Sequence, residues 1–90
     1  MTIRLSPAPS VFSREFDGEL VLLDLARGEY FGLDEIGALL WAAVVDGRDV
    51  STVAEQVTRE FAVDAATAAA DLEALVDVLV ERGLLVRDGA

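Results

Sequence analysis

Gly28-Glu29-Tyr30-Phe31-Gly32-Leu33-Asp34-Glu35-Ile36-Gly37-Ala38-Leu39-Leu40-Trp41 is where the chain changes period, and that change decides the fold. Glu29 to Leu33 is short, aromatic and bounded by turn residues, which reads as a strand. From Asp34 onward the apolar side chains Ile36, Leu39, Leu40, Ala43 and Val44 recur at i, i+3, i+4, i+7 and i+8, the spacing of one buried helix face. Asp34 stands where an N-cap acceptor belongs, and Gly47 supplies a left-handed stop after Asp46. Trp41 falls off the centre of the stripe and is expected at its edge.

Upstream, two more strands precede the switch. Val11 to Phe16 and Glu19 to Leu25 are joined by Asp17-Gly18, a dipeptide suited to the positive φ angles of a tight hairpin. Ala26-Arg27-Gly28 makes the next turn, and such short connections force antiparallel neighbours. Leu20-Val21-Leu22-Leu23 is too apolar for a strand with one wet face. Residues 1–10 hold both prolines and read as an irregular N-terminal arm, in which Ile3 and Leu5 leave room for a short strand.

Downstream, a helix begins near Val50-Ser51, with Val53, Val57 and Phe61 one turn apart and Thr52 and Glu55 at capping-box spacing. Asp64 caps a third helix, Ala65 to Arg82, stopped by Gly83; Leu84-Leu85-Val86 then pins the C-terminus in extended form. The expected fold class is α+β: a three-stranded antiparallel meander followed by three helices, like a winged helix-turn-helix. One domain spans residues 11–86, with 87–90 as a tail.

Composition excludes much chemistry. The 90 residues contain no Cys and no His, and all seven basic residues are Arg. Thiolate chemistry, Schiff-base lysine chemistry and the usual zinc or copper ligand sets are therefore out of reach. No two carboxylates are paired at a spacing that argues for acid–base work, and Gly28, Gly32 and Gly37 lack the spacing and the Lys of a phosphate loop. We therefore expect no enzyme, no catalytic residues, no metal and no cofactor. A net charge of −10 repels phosphate backbones and anionic lipid. Neither the second nor the third helix offers a basic face, so a winged-helix DNA-binding regulator is an electrostatically poor alternative. Serine in an Asp-Ser-Leu setting is absent, and the first third is β, which separates the chain from acyl carriers. The apolar stretch Ile36 to Val45 is far shorter than the roughly 20 residues that cross a bilayer, and no signal peptide opens the chain, so it reads as cytosolic and soluble, with no membrane partner.

What remains is recognition of a peptide. Of the meander's two edges, Val11–Phe16 is protected by upstream prolines and by Arg14 and Glu15. Tyr30-Phe31-Gly32-Leu33 has no proline and no internal charge, so its free backbone groups can accept an added strand. Alternation sends one face of this strand into the core in any case; the sequence leaves open which face turns to a groove. On the third helix, steps of ~100° put Ala68, Leu72, Leu75, Val76 and Leu79 on the buried stripe and Glu73, Asp77 and Glu81 opposite. Thr67, Asp71, Ala74 and Val78 form a mixed flank, which suits either a shallow groove wall or an ordinary solvated surface.

Two runs carry a resemblance: Phe31-Gly32-Leu33-Asp34-Glu35-Ile36-Gly37, and Asp71-Leu72-x-x-Leu75 followed by Leu79 and Gly83-Leu84-Leu85. Both resemble the PqqD-like proteins, or RiPP recognition elements, over about residues 11–86. The resemblance implies a non-catalytic chaperone that binds the leader region of a ribosomally made precursor peptide. It carries leader binding onto Glu29, Tyr30, Phe31, Gly32 and Leu33 as the receiving strand, and onto Asp71, Ala74, Leu75 and Val78 as the facing helix. The chain looks most similar to the stand-alone recognition protein of lasso-peptide biosynthesis, which implies a separate leader peptidase and a cyclase as partners. Recognition proteins of quinone-cofactor or radical-SAM-modified peptide pathways are the alternative within the resemblance.

Overall fold

A computed structural model describes residues 3–17 and 19–89. The elements run β1 (Ile3–Pro7), β2 (Val11–Phe16), β3 (Glu19–Asp24), β4 (Glu29–Leu33), α1 (Glu35–Val45), α2 (Val50–Phe61), α3 (Ala65–Glu81) and β5 (Leu85–Gly89). The fold is α+β, with β2-β3-β4 as an antiparallel sheet followed by three helices. Asp17 adopts a positive φ of 47° in the first hairpin turn; its expected partner Gly18 lies outside the described residues.

One expectation needs correcting at both chain ends. Residues 3–7 are not an irregular arm, and 87–89 are not a loose tail. They pair as an antiparallel two-stranded sheet, with Ile3 opposite Gly89 and Pro7 opposite Leu85. The ladder continues into Ala8, whose N–H donates to the Leu84 carbonyl at 3.0 Å. Local patterning could not reveal this pairing, because its two strands lie at opposite ends of the sequence. Met1, Thr2 and Ala90 lie outside the described residues.

Leu22, Leu40, Leu72, Leu79 and Leu85 are fully buried and join the sheet to α1, α3 and β5. Trp41, expected at the edge of the apolar stripe, is fully part of the core at 4% exposure. The reason is that α1 has neighbours on several sides: α2, β1, β3, α3 and β4 all contact it. Ile36 and Leu39 are correspondingly only half-buried.

The helix termini follow the sequence in two cases of three. Asp34 accepts from the Gly37 N–H at 2.9 Å, and Asp64 accepts from the Thr67 N–H at 3.3 Å. At α2 the capping box does not form: Asp49 occupies the cap without a side-chain hydrogen bond, and Thr52 already lies inside the helix, its N–H bonded to the Asp49 carbonyl. Asp34→Ala should lower stability by about 1 kcal/mol, the usual cost of losing an N-cap acceptor. Chemical denaturation monitored by circular dichroism checks this, and an unchanged midpoint contradicts it.

Gly37 sets how closely α1 approaches the end of β4. A Cβ there would lie 2.9 Å from Leu33 Cδ2 and 3.1 Å from Leu33 Cβ. Gly37→Val should therefore displace Leu33 or tilt α1, with a cost of about 1–3 kcal/mol typical of overpacking. Thermal melting reads this directly; a melt equal to that of the parent contradicts the close approach.

Candidate functional site

The order β2-β3-β4 leaves β4 at an edge, without a strand partner on its far side among the described residues. Register and alternation settle which way its side chains point. Phe31 stands directly opposite Leu22 and Leu33 opposite Leu20. Directly opposed residues share a face, and Leu22 is fully buried. Glu29, Phe31 and Leu33 therefore face the helices, while Tyr30 and Gly32 face away. Tyr30 is 77% exposed, Phe31 is half-buried against the core, and Leu33 is buried.

On α3, Asp71, Ala74, Leu75 and Val78 lie at i, i+3, i+4 and i+7, one stripe along the helix. Asp71, Ala74 and Val78 are exposed, and Leu75 is half-buried beside the core. Of the expected buried stripe, Ala68, Leu72, Val76 and Leu79 are buried, and Leu75 is the member that stays half-buried. The helix packs on α2, α1 and β5, and β4 on β3 and α1. The structure thus brings the five strand residues together and the four helix residues together, each set at least partly accessible on the rim of one core.

The C-terminal end of α3 reaches β4. There the Arg82 guanidinium lies over the Phe31 ring, 5.2 Å from its centroid. Arg27, in the β3–β4 turn, donates from Nη1 to the Arg82 carbonyl at 3.1 Å. A positive group at this position also suits the partial negative charge of a helix C-terminus. Neither arginine stood out in the sequence; the only signal was a basic residue directly before the helix-stopping Gly83.

The turn itself is fixed by Asp24, a buried carboxylate that sequence reading passed over as part of an apolar strand. Its Oδ1 accepts from the Ser10 hydroxyl at 3.1 Å, the Ala26 N–H at 3.1 Å and the Arg27 N–H at 3.3 Å. Three donors compensate the burial of its charge, and the result positions Arg27 at the start of β4. Asp77, expected on the wet face of α3, is exposed and accepts from Arg87 of β5 at 2.6 Å.

Concavities large enough for a small molecule lie elsewhere: one beside Ala54, Thr58 and Ala65, another between β1 and the α1–α2 connection. No cluster of three metal-ligating side chains occurs among the described residues, and no described helix is long and apolar enough to cross a membrane. What β4 offers is backbone at an open edge, beside an apolar ring that the Arg82 guanidinium at the end of α3 covers.

The family model described as coenzyme PQQ synthesis protein D (PqqD) matches residues 19–85, from the start of β3 to the start of β5. The chain belongs to the PqqD family. Two solved structures extend the comparison. TbiB1 in complex with the TbiA(beta) leader peptide superposes with a TM-score of 0.82 at 32% identity, covering 89% of this chain and 93% of that one. Lasso peptide synthetase B1 complexed with the leader peptide also gives 0.82, at 34% identity, covering 93% and 96%. No curated protein matches significantly. The fold of this PqqD-family chain is thus shared, over nearly its whole length, with two proteins solved with a leader peptide bound, one of them a lasso peptide synthetase B1.

Proposed function

We propose that this protein is the leader-recognition component of a lasso-peptide pathway. The observation that carries the reading is the β4 edge, unpaired among the described residues, in a chain so similar to two leader-bound proteins, one of them a lasso peptide synthetase B1. The leader adds to Glu29, Tyr30, Phe31, Gly32 and Leu33 as a further strand, and its inward side chains settle against Asp71, Ala74, Leu75 and Val78. Ordering a disordered peptide costs about 2–5 kcal/mol. Main-chain bonds along β4 and burial of apolar side chains against Phe31 and Leu75 offset that cost while leaving the complex exchangeable.

The protein performs no chemistry in this account. It holds the leader, in the cytoplasm, for a separate leader peptidase and cyclase, and raises the effective concentration of the core peptide at those enzymes. The lasso assignment is preferred over the quinone-cofactor or radical-SAM alternatives because one of the two leader-bound structural matches is a lasso peptide synthetase B1, similar over 93% of this chain.

Calorimetry with the cognate leader peptide should show one-to-one binding without metal or nucleotide. Hydrogen exchange should slow at outward-pointing amides within residues 29–33 and leave β2 unchanged. Absence of heat with that leader overturns the reading. Retardation of duplex DNA at low salt would favour the DNA-binding alternative instead, against the expectation from the net charge of −10.

A further inference from the structure

We infer that the β4–α3 site selects a leader carrying an acidic side chain at the position that pairs opposite Phe31, and that Arg82 is the residue that reads it. The inference rests on the leader-binding reading and adds to it a specific chemical demand. It starts from a local reversal of charge. The protein as a whole is strongly acidic, with a net charge of −10. Yet the point where the C-terminal end of α3 meets β4 is furnished with two of its seven arginines, Arg27 and Arg82.

The two have different tasks. Arg27 is spent on the fold: it donates to the Arg82 carbonyl, lies against Gly83, and has Glu29 Oε1 at 4.0 Å. Gly83 has a φ of +75°, and its missing side chain leaves that face open to the Arg27 guanidinium, 3.6 Å from where a Cβ would stand. Arg82 is held by its backbone and by the Phe31 ring, and among the described residues no carboxylate lies within ion-pair distance of its guanidinium. Glu29 shares Phe31's face but is the one near Arg27, and Glu81, next in the chain, is exposed and makes no ion pair with Arg82. A guanidinium that contacts a ring keeps its N–H donors at its rim, free for a planar carboxylate.

Strand addition brings the reader and the read group together. A residue directly opposite Phe31 on an added strand would have its Cβ about 4.5–5.5 Å from that of Phe31, on the same face. Its side chain would then come up beside the ring under Arg82. A carboxylate there would pair with Arg82, the cation that, among the described residues, has no ion-pair partner where α3 meets β4. The acidic surface elsewhere does not cancel this, because charges beyond about 8 Å are largely screened at physiological salt. A neutral or basic side chain would bury the guanidinium without a partner, so the position discriminates in both directions.

Selection from a random-sequence library of short displayed peptides tests this whatever the native leader is. Against the parent protein, the enriched peptides should share an acidic position, and changing that acid to Gln in a synthetic peptide should weaken binding about tenfold. Arg82→Gln should weaken the acidic peptide by a similar factor, whereas Arg59→Gln on α2, the same change of charge away from the groove, should not. The decisive arm is the charge swap. Arg82→Glu should reject the acidic peptide and recover binding to the same peptide carrying Arg in place of the acid, which a merely structural role for Arg82 would not produce. Enrichment with no acidic preference, or an acidic preference unchanged in Arg82→Gln, overturns the inference and leaves leader binding standing. Failure to enrich any peptide, together with no binding of the cognate leader, overturns both.

Discussion

Phe31→Ala should weaken leader binding by about 2 kcal/mol, roughly thirtyfold, the scale of an aromatic hot spot. Phe31 is the half-buried ring on the helix-facing side of the open strand, opposite Leu22 and beneath Arg82. Truncation removes the apolar surface against which the added strand's inward side chains would lie, and leaves Arg82 without its ring. Asp71→Ala should also weaken binding, by a smaller factor, because it removes one side chain from the facing helix flank. Asp77→Ala is the comparison: it breaks an exposed ion pair with Arg87, worth under about 1 kcal/mol to the fold, and touches neither β4 nor the flank. Fluorescence anisotropy with labelled leader, on variants whose circular dichroism matches the parent, gives the ranking. Equal losses for Phe31→Ala, Asp71→Ala and Asp77→Ala would remove the groove from the account.

The second large effect is on stability. Leu22 is 0% exposed at the centre of the middle strand. Leu22→Ala should cost about 3–4 kcal/mol, from lost transfer energy and the cavity left behind. Against a total of about 5–15 kcal/mol for such a domain, that is a large share. The melting temperature should fall by roughly 12–32 °C, taking about 4–8 °C per kcal/mol for a chain of this size. A fall of only a few degrees would mean that the sheet and helices repack freely around the missing side chain. Because Leu22 faces Phe31, the double variant should depart from additivity.

The element order was legible because its signals are local. The period flips at Asp34, where the cap hydrogen bond to Gly37 is made, and Gly47 and Gly83 take the positive φ angles expected past helix ends. Less local decisions were hidden. Nothing marks the end of α2: it stops with Ala62 in the left-handed region at φ 52°, a conformation usually left to glycine. The burial of Trp41 follows from α1 being enclosed by other elements, which the pattern of its own helix does not reveal. For the candidate site, the strand and the helix stripe could be named from alternation and spacing. The direction of Phe31 could not, because it follows from the register with Leu22. Nor could the meeting of Phe31 with Arg82, which needs the turn held by Asp24.

Pairing β1 with β5 has a consequence for how the molecule yields. The ladder joins the first described residues to the last, so forming it closes a loop of almost the entire chain, an entropic cost repaid only once the interior is in place. These rungs should zip up late in folding. Tension applied at the two ends would meet them in the peeling geometry, one rung after another, and the clasp would open before the β2-β3-β4 sheet bore any load.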